Sequence, residues 1–270
     1  MLSTKSMAKA IARALLYRAM PFIYKIYEKK LWEEIKQGPI PNHVGLILDG
    51  NRRWARRLGL DVAEGHKRGK EKIKEVLRWC WALGIKNVTI YVLSTENFNR
   101  SKQEVEALLN LARQGFSELL EDPEIHEKKI RVRAIGKLEL LPEDIRELIR
   151  RVEAATQNYG SSTLNIAIAY GGRAEIVDAV RKIAEQVKDG KLRSEDINEK
   201  LFEQYLYTAG SPDPDLIIRT SGEERLSGFL LWQSAYSELC FLDVYWPEIR
   251  RIDFWRAIRT YQRRERRFGR

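Results

Sequence analysis

The chain is poor in cysteine. It has only Cys80, between Trp79 and Trp81, and Cys240, between Leu239 and Phe241. Two thiols in apolar company exclude a disulfide framework and read as buried free cysteines of a reducing, cytoplasmic compartment. No run of about 18 apolar residues occurs, so no segment is expected to cross a bilayer. Gly-x-Gly-x-x-Gly and Gly-x4-Gly-Lys-Ser/Thr loops are also missing, which removes the usual signs of a nucleotide fold. No internal repeat or low-complexity tract interrupts the 270 residues, of which 44% are hydrophobic and 32% charged. Such a size and composition suit a globular chain with one large core or two small ones and exclude a disordered chain.

What is present is positive charge, unevenly placed. Residues 1–30 carry seven Lys/Arg against Glu28, and residues 250–270 carry nine Arg against Asp253 and Glu265. With a net charge of +10, the middle of the chain is slightly acidic. Basic ends around such a centre argue against a nucleic-acid groove and for local anionic contacts. From about Ser6 to Gln37 the pattern is that of a basic amphipathic helix with a break at Pro21; Ile11, Leu15, Phe22 and Ile26 share a face. Arg13 and Arg18 make it a poor secretory signal. A helix of this kind lies on an anionic membrane surface or packs on protein, and the sequence leaves both open. Gly38–Asn42 reads as a linker, so residues 1–40 are expected to be an extension and 41–270 the main folded domain.

Beyond residue 43, short apolar runs alternate with helical patterns. Strands are expected at Val44–Leu48, Val88–Leu93, Ile130–Ile135, Leu164–Ala169, Leu216–Ile218 and Leu239–Leu242. Helices are expected at Lys67–Leu83, Gln103–Glu121, Glu143–Asn158, Arg173–Val187, Asp196–Leu206 and Asp253–Arg267. This order predicts a mostly parallel six-stranded sheet flanked by helices, with ligands beyond the carboxyl ends of its strands.

The polar segments at those ends therefore carry the chemistry. Asp49 follows the first strand, Gly50-Asn51 permits a tight turn, and Arg52-Arg53-Trp54 can open a helix whose free N–H groups attract an anion. A carboxylate beside an anion calls for a bridging cation, and Mg²⁺ suits it. Gly65-His66 is read as starting the next helix. Ser94–Arg100 is rich in hydrogen-bonding groups, among them Asn97 and Arg100, although helix capping alone would explain several of them. Gly171–Arg173 is another polar strand end. Arg219 and Arg225, with Ser227, have forked donors able to wrap a diphosphate. Glu238 precedes the last strand and is a second candidate metal ligand opposite Asp49.

Taken together and in order, His43–Ala55, Gly65-His66, Ser94–Arg100, Arg219–Glu223 and Arg225–Ser227 resemble the cis-prenyltransferases, over about Pro41 to Gly269. The resemblance implies condensation of isopentenyl diphosphate onto an allylic diphosphate, farnesyl or geranylgeranyl, by a Mg²⁺-dependent homodimer or heterodimer with an apolar tunnel. The product would be a long polyprenyl diphosphate for a glycosyl carrier lipid. The resemblance assigns Asp49 to metal and catalysis, with Asn97 and His66 beside the reacting groups. It assigns Gly50, Asn51, Arg52, Arg53, Trp54, His66 and Arg100 to the allylic diphosphate. Arg219, Arg225, Ser227, Arg267 and Gly269 fall to isopentenyl diphosphate, the last two reaching a partner's site, and Glu238 to the metal. Three departures stand out. Arg52 and Phe98 replace residues usual in bacterial members, and Val62 stands where those enzymes carry an arginine, leaving Arg52, Arg56 or Arg57 to compensate. The Asn-Arg-Arg form is closer to archaeal and eukaryotic members. No Asp-Asp-x-x-Asp motif supports a trans-type synthase. A stripe of Val105, Leu108, Leu109, Phe116 and Leu120 is a candidate tunnel wall, although such stripes are more often ordinary core.

Overall fold

A computed structural model describes residues 24–264. Its six strands are β1 (His43–Ile47), β2 (Asn87–Tyr91), β3 (Ile130–Ile135), β4 (Ser162–Ala167), β5 (Leu216–Arg219) and β6 (Glu238–Phe241). They form one sheet in the order β3-β4-β2-β1-β5-β6. All five pairings are parallel. Every residue of β1 and β5 is buried, as continuous apolar runs demand when helices cover both faces. The expected sheet is therefore present.

The helices are α1 (residues 24–35), α2 (Asn51–Arg57), α3 (Val62–Ala82), α4 (Lys102–Glu121), α5 (Pro123–Glu127), α6 (Glu143–Thr156), α7 (Gly172–Lys188), α8 (Glu199–Glu203) and α9 (Arg251–Arg263). Three differ from expectation. Helix α3 begins at Val62, because the Asp61 carboxylate accepts from the Ala63 N–H and caps it there. Gly65-His66 thus lies inside the helix, not at its start. Residues 196–206 are not one helix but a 3₁₀ turn (Ser194–Asp196) followed by the short α8, which Asn198 caps. Helix α9 starts two residues early, where Asp253 reaches back to the Arg250 N–H at 3.1 Å.

Helix α1 is docked on the body. Leu31 and Ile35 are buried in the main core, Trp32 lies 5.0 Å from Trp255, and Gln262 donates to the Ile35 carbonyl at 2.6 Å. For residues 24–35 the packed alternative therefore holds, while Pro21 lies outside the described residues. Both cysteines are free thiols; burial pushes Cys80 and Cys240 upward, so neither is poised to react. Among the described residues no helix is long and apolar enough to cross a membrane.

Candidate active site

Strand β1 has β2 on one side and β5 on the other, and the later strands continue outward from it in opposite directions. The crevice at its carboxyl end is where such a sheet binds ligands. Gly50 turns the chain there with φ +107°, a backbone region costly for other residues. Helix α2 follows at once and packs closely on α3. A Cβ on Gly65 would stand 2.3 Å from the Asn51 carbonyl.

A polar cavity of about 1090 Å³ fills the crevice. Its lining includes Asp49, Gly50, Asn51, Arg52, Arg53, His66, Asn97, Arg100, Arg219, Arg225 and Ser227, so eleven of the sequence candidates meet in one place. Two networks organise it. In the first, Arg219 donates to Asp49 at 2.7 Å and to Ser227 at 2.9 Å. Arg53 donates to Asp49 at 3.2 Å, to Ser221 at 2.6 Å and to Glu223 at 2.5 Å, and Glu223 also holds Arg225. Burial pushes the Asp49 carboxyl up, but the hydrogen bond and charge of Arg219, joined by Arg53, outweigh it. Asp49 is therefore held below the usual carboxylate range and stays ionised.

In the second network, Glu104 gathers Arg100 at 2.8 Å, Arg52 at 3.4 Å and His66 at 3.5 Å. Burial lowers the His66 imidazole, as do Arg100 and Arg52, against the opposing pull of Glu104. It is accordingly neutral near pH 7, a hydrogen-bonding group and not a cation. Sequence reasoning missed Glu104. Ser101-x-x-Glu104 has the form of a capping box, and the Ser101 hydroxyl does accept from the Glu104 N–H at 3.3 Å. The Glu104 side chain, however, turns toward the three basic groups. Asn97 also has a structural task, since its carbonyl oxygen accepts from the Ser94 N–H at 2.9 Å.

Three expectations need correction or fall elsewhere. Glu238 is the first residue of β6, level with Leu216 and hence with Val44. At ~3.3 Å per residue that leaves it roughly 16 Å short of Asp49 along the strands, and its carboxylate pairs with Arg264 at 2.5 Å. Within one chain it does not face Asp49 across the crevice. Trp54 does not line the cavity, because the face of α2 that does carries Arg52, Arg53 and Arg56. Arg267 and Gly269 lie outside the described residues. Of the arginines considered in place of Val62, Arg57 is drawn off by Glu248 at 2.5 Å, while Arg52 and Arg56 line the cavity.

An apolar channel between α3, α4 and the sheet adjoins this cavity, sharing Leu48, Asn51, His66, Val92 and Leu108 with it. Ile73, Leu77 and Trp81 form its α3 wall, and Leu108, Leu111, Ala112, Gly115, Phe116 and Leu119 its α4 wall. Leu108 and Phe116 were expected there. Val105, Leu109 and Leu120 are not among its lining residues, because the lining face of α4 is rotated relative to the stripe read from sequence.

A basic head-group site at the carboxyl edge of a parallel sheet, opening into an apolar channel, defines an α/β enzyme that handles amphiphilic diphosphates. The chain belongs to the undecaprenyl diphosphate synthase family of cis-prenyltransferases, whose sequence profile matches residues 47–269. It is 57% identical over 248 residues to the tritrans,polycis-undecaprenyl-diphosphate synthase (geranylgeranyl-diphosphate specific) of Methanopyrus kandleri, covering 92% of each chain. The Picrophilus torridus enzyme of the same description is 54% identical, with 92% of this chain and 97% of that one covered. Among solved structures, lavandulyl diphosphate synthase from Lavandula x intermedia, in complex with dimethylallyl diphosphate, superposes with a TM-score of 0.82 at 41% identity. That match covers 86% of this chain and 99% of the other.

Proposed function

We propose that this enzyme extends geranylgeranyl diphosphate with isopentenyl diphosphate, adding cis units to undecaprenyl length for a glycosyl carrier lipid. The observation that carries the reading is the continuity of the arginine-lined cavity with the apolar channel. A diphosphate can sit at the sheet edge while its hydrocarbon chain runs between α3 and α4. The primer and product length follow those by which the Methanopyrus kandleri and Picrophilus torridus enzymes are named.

In this reading Arg219, Arg225 and Ser227 hold isopentenyl diphosphate, while Gly50, Asn51, Arg52, Arg53, His66 and Arg100 hold the allylic diphosphate. Holding two anions with their carbon ends adjacent is mainly a matter of positioning, and forked guanidinium donors do it well. The same arginines stabilise charge on the departing diphosphate. Asn97 has no basic atom, and the depressed Asp49 carboxyl is a weak base, which leaves a substrate phosphate oxygen and the neutral His66 imidazole as acceptors for the proton lost from the isopentenyl unit.

Mg²⁺ belongs to the same proposal. Among the described residues no group of three or more His, Cys, Asp or Glu could enclose a metal. A single carboxylate in a phosphate-binding cavity nevertheless fits Mg²⁺, which binds through one or two carboxylates plus substrate phosphates. Asp49 would hold it, and the ion would supply positive charge to the leaving diphosphate. The enzyme is further proposed to act as a homodimer, with Arg267 and Gly269 completing a partner's isopentenyl site, and to touch membrane through the part of residues 1–30 that precedes the docked helix α1.

The test is purified full-length protein with Mg²⁺, labelled isopentenyl diphosphate and either farnesyl or geranylgeranyl diphosphate, the products being read by mass spectrometry. Polycis products with the geranylgeranyl primer preferred are expected. No incorporation with any allylic primer would refute the reading and favour a non-catalytic partner subunit.

A further inference from the structure

The channel has a charged seam. On α3 the lining residues Ile73, Leu77 and Trp81 recur every four positions, and the adjacent row is Lys70, Lys74 and Arg78. That row faces carboxylates on α4 and at the start of α5. Lys70 meets Glu118 at 2.6 Å, Lys74 meets Glu118 at 3.1 Å and Asp122 at 3.7 Å, and Arg78 meets Glu124 at 2.7 Å. All six side chains line the same channel as the apolar residues. The seam thus ties α3 to α4 and α5 along the apolar space.

The channel encloses only about 160 Å³. A cavity of ~150 Å³ takes a ligand the size of benzene, so a long polyprenyl chain does not fit without movement of a wall. The sheet behind the channel is tied by continuous parallel ladders through β1, β2, β4 and β3, and it yields least. The α3–α4 side is closed by ion pairs that are part-exposed, which makes each of them weak. Each added prenyl unit, by contrast, gains from leaving water.

We propose that the Lys70–Lys74–Arg78 and Glu118–Asp122–Glu124 ion pairs form an electrostatic clasp that sets product length by resisting separation of α3 from α4. The clasp rests on the chain-elongating activity proposed above. It opens as the growing chain presses the helices apart; the four pairs together weigh about as much as the burial of one unit, so the clasp moves the point at which elongation stops by about one unit.

The experiment compares product lengths at equal total incorporation of isopentenyl units, by mass spectrometry, for wild type, Glu118→Gln and Lys70→Gln. Arg193→Gln, which breaks a pair with Asp196 that does not line the channel, serves as control. Glu118→Gln removes two links and should shift the product distribution toward longer chains by up to about one prenyl unit, with Lys70→Gln shifting it less. Raising salt should lengthen the wild-type product, through screening, more than that of Glu118→Gln. Folded variants with the wild-type length distribution, insensitive to salt, overturn the clasp alone. A wild-type chain that makes no polyprenyl product overturns the activity and the clasp together.

Discussion

Arg219 reaches across from the end of β5 to Asp49, just beyond the end of β1, and closes a 2.7 Å ion pair in which the arginine side chain is only 4% exposed. The two strands are adjacent, with Ile47 level with Arg219, so the pairing follows from register. Asp49 is thereby a carboxylate already engaged by two guanidinium groups. A diphosphate entering the cavity would compete for those groups, and under the proposed function this would leave carboxylate oxygen for a cation.

Asp49→Ala should reduce turnover by at least on the order of 10²-fold, the loss typical of removing a group that stabilises transition-state charge. The fold should survive, because Arg219 keeps Ser227 and the Arg225 carbonyl as partners. Single-turnover kinetics beside a thermal melt checks both points. Near-normal turnover would remove Asp49 from the mechanism.

Arg225→Ala should raise the apparent KM for isopentenyl diphosphate about tenfold, the order expected for one lost hydrogen bond to a charged group, with little effect on the allylic substrate. Glu223→Gln should alter both substrates, since Glu223 holds Arg53 as well as Arg225. Steady-state kinetics with each substrate varied distinguishes the two.

Gly115 sits in the middle of α4 on the channel wall, and a Cβ built there meets nothing within 4 Å. A mid-helix glycine costs ~0.5–1 kcal/mol relative to alanine, so Gly115→Ala should raise stability by about that amount. Gly115→Leu should instead fill the channel and shorten the product. A leucine variant with full-length product would show that the chain runs elsewhere.

Acid should destabilise the site. Burial holds His66 and His43 below the usual imidazole value. Burial pushes Glu104 up, but Arg100, Arg52 and His66 outweigh it and leave it low as well. Each depressed pKa contributes stability that is present above the unfolded value and lost as pH falls through the folded one. For the histidines that loss begins below about pH 6.5, and for Glu104 further down. His66→Gln should flatten the first part of the decline in a melting-temperature series from pH 8 to 5, and an unchanged slope would assign the decline to His43.

A deletion designed to test membrane contact should stop at residue 23, because Leu31 and Ile35 belong to the core. Removing residues 1–23, with Lys5, Lys9, Arg13 and Arg18, should weaken binding to anionic liposomes more at low salt than at high. Equal flotation of both forms would show that this segment does not bind membrane.

The sequence by itself determined the strand and helix alternation, the turn at Gly50 and the set of basic groups at strand ends. Each of these is written in local periodicity or in the chemistry of a few neighbouring residues. Tertiary structure decided what depends on register and on which elements become neighbours. It set Glu238 at the far edge of the sheet, because β6 enters level with Val44 rather than Asp49. It turned Glu104 from a helix cap into the hub of Arg52, His66 and Arg100. It also chose which face of α4 lines the channel, since the sequence marks a helix as apolar on one side but not where its packing stops and an open space begins.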